Sequence, residues 1–118
     1  MSALMWIAVA VCGGAGACGR AWVDGVVTRH AAHQGAGTLT VNTLGCLLLG
    51  FITGFGAVSP ALTLGFLGGF TTFSTAMLDI VERAGQRGFH WAILLVLQVL
   101  APGLAYFLAQ SLGALAAA

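Results

Sequence analysis

The chain has 118 residues, of which 59% are hydrophobic and only 6% charged: four arginines, no lysine and three acidic side chains. A soluble domain carries roughly a quarter of its residues charged, so this composition excludes one and predicts an integral membrane protein. The net charge of +1 leaves no basic patch with which to hold nucleic acid.

A membrane-spanning helix needs about 20 mostly apolar residues, and four stretches qualify in chain order. The first runs near 4–27 and ends at the polar knot Thr28-Arg29-His30. No Lys or Arg precedes Arg20, so the basic region of a signal peptide is missing and the segment is read as part of the mature protein. The second runs near 36–57, after the turn-like His33-Gln34-Gly35. The third runs near 60–82, with Ser59 placed to cap it and Pro60 suited to its first position. The fourth runs near 89–115, after the break Ala84-Gly85-Gln86-Arg87-Gly88. The connections are too short for a soluble domain. Residues 1–118 therefore form a single four-helix transmembrane domain, all-α, with both termini on one side.

The 18 glycines fall largely inside these spans. No hydrophobic force pulls helices together in lipid, so small residues that let backbones approach take its place; Gly50-Phe51-Ile52-Thr53-Gly54 has that spacing. The cysteines, Cys12, Cys18 and Cys46, lie in apolar stretches without metal-binding spacing and read as small packing residues.

Polar groups at depth need partners or water, and three sites raise that need. Arg20 lies in the first span, either snorkelling to the interface or facing a pore mouth. Asn42 lies in the second, on one face with Thr38 and Gly45, where it could simply bond across to another helix. The third is GGFTTFSTA, residues 68–76. Hydroxyls that bond back to helical carbonyls account for Thr75. Two glycines followed by two β-branched threonines, however, make a weak helix and predict a break around Gly68–Thr71. Freed carbonyls suit a small hard cation and freed N–H groups suit an anion, so a broken helix beside an Asn amide reads as an ion site.

Three segments together resemble the Fluc (CrcB) family of small fluoride channels: Gly13-Gly14-Ala15-Gly16-Ala17-Cys18-Gly19-Arg20, GTLTVNTLGCLLLGF over 37–51, and GFLGGFTTFSTA over 65–76. The resemblance implies an antiparallel, dual-topology dimer in the plasma membrane, with two fluoride pores that export the ion passively and relieve its toxicity. It implies a structural, non-transported sodium ion at the dimer centre, held here by the main-chain oxygens of Gly68 and Thr71. It also implies an anion path along Asn42, Phe73, Thr72, Ser74 and Thr75, with Arg20 raising the local anion concentration.

The chain departs from the family pattern where a second aromatic would follow Phe73, at Ala76. Its fourth span offers Gln98 and Tyr106 in place of a hydroxyl-bearing track, and Pro102 is expected to kink it. Arg29, Arg83 and Arg87 share one side of the membrane and no Lys or Arg marks the other, which predicts both termini outside the cytoplasm. These departures fit one half of a heterodimer with a sister chain of opposite orientation; an ordinary homodimer is the alternative. A non-conducting accessory subunit and a small multidrug-type exporter are the rivals, although the exporter needs a carboxylate deep in the first span and Asp24 stands near its end. An enzyme is not indicated, since His30, His33 and His90 sit at span ends with no nucleophile or ligand pattern.

Overall fold

Apolar runs of this length fold as helices because the hydrocarbon core supplies no partner for a free N–H or C=O. The computed structural model describes residues 2–31, 35–56, 59–85, 88 and 90–118, and of His90 the backbone only. Helix α1 is Ala3–His30 and α2 is Ala36–Phe55. A wide π-helical segment, Ala61–Leu67, continues into one α-helical turn, Gly68–Phe70; together they form α3. After three non-helical residues the same span resumes as α4, Ser74–Ala84, and α5 is His90–Ala117. Among the described residues four helical stretches, Ala3–His30, Ala36–Phe55, Ala61–Ala84 and Trp91–Ala117, are long and apolar enough to cross a membrane. The chain is thus a multi-pass membrane protein whose third span is broken.

The first span reaches further than 27. Thr28, Arg29 and His30 form its last turn, so the helix ends in the polar knot as expected. The Thr28 hydroxyl donates to Asp24 Oδ1 at 3.4 Å and Arg29 Nε donates to the Gly25 carbonyl at 3.2 Å. Ser59 does serve the start of the third span, through its main-chain carbonyl, which accepts from the N–H groups of Leu62 and Thr63. The turn residues His33 and Gln34, the far end of the second span and Arg87 lie outside the described residues.

Glycines decide which helices touch. A Cβ on Gly16 would strike the Phe66 carbonyl, and one on Gly69 would strike the Gly13 carbonyl. Gly65 faces Val9 and Cys12 in the same crossing, so α1 and α3 run parallel, backbone against backbone. A second parallel pair joins α2 to α5: Gly50 meets the Tyr106 carbonyl, Gly54 the Gln110 carbonyl and Gly113 the Phe51 carbonyl. The α2–α5 pairing is the most extensive in the molecule. Gly37, at the first turn of α2, lies against the Asp24 carboxyl, where a negative charge favours a helix N-terminus.

The outside of the bundle is apolar. Leu4, Trp6, Trp22, Val99, Leu104 and Phe107 are among many large hydrophobic side chains left exposed, as a surface facing acyl chains requires. The hydroxyls of Thr40, Thr53 and Ser111 bond back to the carbonyls of Ala36, Leu49 and Phe107 at 2.8, 2.9 and 3.0 Å. Their polarity is therefore neutralised within their own helices.

Candidate ion site at the break in the third span

The two glycines do not break the helix. Gly68 has helical dihedrals, φ −62° and ψ −39°, and the chain turns extended only at Thr71, where ψ is 158°. The break thus falls on Thr71, Thr72 and Phe73, just beyond the expected glycines. Gly69 is needed for a different reason: the α1 backbone passes directly beneath it.

Asn42 holds the break open. Its Oδ1 accepts from the Thr72 N–H at 2.8 Å, and its Nδ2 donates to the Thr72 carbonyl at 2.7 Å. One side-chain amide thereby replaces both helical partners of a single residue. Two complementary bonds also fix which way round the amide lies. Asn42 sits half-buried between Thr38 and Gly45, which are buried, so the predicted shared face exists. Gly45 makes room for the Thr71 methyl group.

The helix restarts on the Thr72 hydroxyl, which accepts from the Thr75 N–H at 3.3 Å and donates to Thr75 Oγ1 at 3.3 Å. Ser74 Oγ is 3.5 Å from the same hydroxyl. Thr71, not Thr75, is the residue whose hydroxyl bonds back, to the Leu67 carbonyl at 3.0 Å. In a continuous helix the Gly68 carbonyl would accept from Thr72 N–H and the Thr71 carbonyl from Thr75 N–H. Both donors are diverted, to Asn42 and to the Thr72 hydroxyl. The main-chain oxygens of Gly68 and Thr71 are left without their helical partners, and such oxygens suit a small hard cation. Among the described residues no three His, Cys, Asp or Glu side chains gather where they could hold a metal, so a cation here would rely on carbonyls.

A cavity of about 570 Å³ opens beside the break. Asn42 and Cys46 line it from α2, Gly68 from α3, Thr71–Phe73 from the break, Ala76 and Met77 from α4, and Gln98 and Pro102 from α5. Phe73 projects outward, 76% exposed, while Ala76 is buried in the wall. Of the anion-path residues expected from the sequence, Asn42, Thr72 and Phe73 converge on the cavity; Ser74 and Thr75 open α4 beside it. Arg20 lies half-buried on α1 and is not on the cavity wall.

The Tyr106 main chain lies at the α2–α5 crossing and the residue does not line the cavity; its ring meets that of Phe107 edge to face, centroids 5.4 Å apart. Gln98 stands out instead. It is 8% exposed, and neither Nε2 nor Oε1 has a hydrogen-bond partner. An unpaired buried amide costs about 1–3 kcal/mol. The helix continues across Pro102. Having no N–H, Pro102 also leaves the Gln98 carbonyl without a helical donor. The polarity of Gln98 was visible in the sequence, but its burial depends on how α5 packs.

Asp24, the one acidic residue of α1, accepts from the Thr28 hydroxyl and lies against Gly37 at the α2 N-terminus, which sets it apart from the cavity.

Residues 7–117 match the family described as CrcB-like protein, Camphor Resistance (CrcB). The chain is 39% identical to the fluoride-specific ion channel FluC 2 of Mycolicibacterium paratuberculosis, over 94% of this chain and 95% of that one. It is 44% identical to the fluoride-specific ion channel FluC 1 of Symbiobacterium thermophilum, over 75% of this chain and 79% of the other. It is 38% identical to FluC 1 of Leifsonia xyli, over 80% and 74%. No solved structure matches the sequence significantly. With a broken third span built on Asn42 and a family match across nearly its whole length, the chain belongs to the CrcB-like protein family.

Proposed function

We propose that this chain is a fluoride-specific channel subunit that lets fluoride leave the cytoplasm passively across the plasma membrane. One observation carries the reading: a span broken by an Asn–main-chain pair, beside a cavity walled by Asn42, Thr72 and Phe73. Fluoride is small and strongly hydrated, so a pore must replace its water with donors. The second Nδ2 hydrogen of Asn42 and the positive ring edge of Phe73 supply them. Passive conduction suffices for export, because an anion leaving an inside-negative cell gains about 2.3 kcal/mol per 100 mV. That corresponds to a gradient of roughly 50-fold.

The functional unit is an antiparallel dimer. Phe73 is exposed at the cavity edge and the carbonyls of Gly68 and Thr71 lie beside it, so a second chain placed there would contribute the same groups. Together the two pairs of carbonyls would hold a structural sodium ion, which supplies a positive charge that ties the chains together.

The partner is either a second copy or a sister chain. One observation favours the sister chain: Arg29 and Arg83 end α1 and α4 at the same end of the bundle, near the Asp24–Gly37 and Gly35–Asp79 contacts. Such a bias fixes orientation in the membrane.

Liposomes loaded with fluoride and carrying the purified chain test both readings. Release followed with a fluoride electrode, triggered by a potassium ionophore, is expected to exceed chloride release by more than 100-fold. Fluoride release from the chain alone establishes the homodimer. No release, restored by an oppositely oriented sister chain, establishes the pair, and no release in either case overturns the channel assignment.

A further inference from the structure

We propose that Gln98 is a second side-chain amide that binds the permeating anion, acting from α5 while Asn42 acts from α2. This inference rests on the fluoride-channel reading above. The cavity wall carries few free donors. The hydroxyls of Thr63, Thr71 and Thr72 donate within the chain, to the Ser59 carbonyl at 2.9 Å, the Leu67 carbonyl at 3.0 Å and Thr75 Oγ1 at 3.3 Å. Asn42 commits one Nδ2 hydrogen to the Thr72 carbonyl and keeps the other. Gln98 keeps both of its own, buried and without a partner. The uncommitted side-chain N–H donors on the wall therefore belong to Asn42 and Gln98.

An amide left unpaired in a low-dielectric interior is unfavourable unless a ligand completes it. An anion that has lost its water needs such donors. The Gln98 Oε1, and the carbonyl that Pro102 leaves free, accept from any water that stays with the ion. Gln98 thus supplies a donor in a span whose hydroxyls are few: the Ser111 hydroxyl bonds back to Phe107 and Tyr106 does not line the cavity.

The test compares the unaltered chain with Gln98→Met, which keeps the length and removes the donors, and Gln98→Asn, a shorter amide. Two readings are taken, fluoride release from liposomes and the rise in melting temperature that sodium fluoride produces over sodium chloride in detergent. Gln98→Met is expected to slow release at least fivefold and to abolish the fluoride-dependent rise. Its melting temperature without fluoride should equal or exceed that of the unaltered chain, and Gln98→Asn should retain part of both signals.

Release slowed by less than fivefold with the fluoride-dependent rise intact overturns the assignment. So does a loss of basal stability with the rise intact, which marks a purely structural amide. If Gln98→Met does not fold, the assignment stands or falls on whether Gln98→Asn shows a reduced fluoride-dependent rise. An unaltered chain with neither release nor fluoride-dependent stabilisation overturns the channel reading, and this inference with it.

Discussion

Asn42→Ala is expected to lower stability by about 2–6 kcal/mol and to reduce fluoride release more than 100-fold. The substitution leaves the Thr72 N–H and carbonyl unpaired away from water, and each unsatisfied group costs about 1–3 kcal/mol. Against a total stability of about 5–15 kcal/mol, that loss unfolds a large share of the protein or lets the break re-form as helix. Re-formation would return the Gly68 carbonyl to Thr72 N–H and remove it from any ion.

Asn42→Asp separates the two bonds. Its carboxylate still accepts from Thr72 N–H, but its other oxygen faces the Thr72 carbonyl, acceptor against acceptor. The defect should therefore be large at neutral pH and shrink as pH falls, because a protonated carboxyl donates to that carbonyl again. Thr40→Val, which removes only a bond within one helix, should change stability by less than about 0.5 kcal/mol. Melting curves of the three variants in one detergent provide the comparison. Equal losses for Asn42→Ala and Thr40→Val would mean that the amide does not hold the break.

The spans were legible because length and apolarity alone distinguish a crossing helix, and Asn42 was legible as a polar residue on a small-residue face. The position of the break was legible only to within a few residues. Helix propensity marks Gly68 and Gly69 as weak, but tertiary contact overrides it: Gly69 is packed on α1 and stays helical, while the amide arriving from 30 residues away pulls out Thr72. The π-helical coil of Ala61–Leu67 carries no local signal; it lies where Gly65 packs closely against Val9 and Cys12. In the sequence Gln98 is one of the few polar residues of an apolar span. Such a residue faces lipid headgroups, a neighbouring helix or a cavity with equal local plausibility, and only the docking of α5 on α2 chooses among these. For the same reason Arg20 could be placed in its span but not beside the ion site.

The glycine crossings predict the other large effect. Gly16→Ala and Gly69→Ala are each expected to leave little folded protein, while Gly14→Ala is expected to be neutral or slightly stabilising. All three replace Gly by the best helix former, a gain of about 1 kcal/mol in a helix interior. The difference lies in what the methyl meets: backbone carbonyls of the facing helix at positions 16 and 69, and nothing within 4 Å at position 14. A side chain could turn aside, but a helical carbonyl cannot, so α1 and α3 must separate along their whole crossing. Overpacking typically costs about 1–3 kcal/mol, and separation adds the loss of close contact that holds helices together in lipid. The damage reaches the ion site because α3 leads directly into Thr71 and Thr72, and moving it withdraws Thr72 from Asn42. Combining Gly16→Ala with Gly69→Ala should cost less than the sum of the two, since one separation admits both methyls. Gly50→Ala should instead act through α5, displacing Gln98 while leaving the Asn42–Thr72 pair in place. It should therefore lower both fluoride release and the fluoride-dependent rise in melting temperature. Equal tolerance of alanine at positions 14 and 16 would show that the α1–α3 crossing is not set by backbone contact.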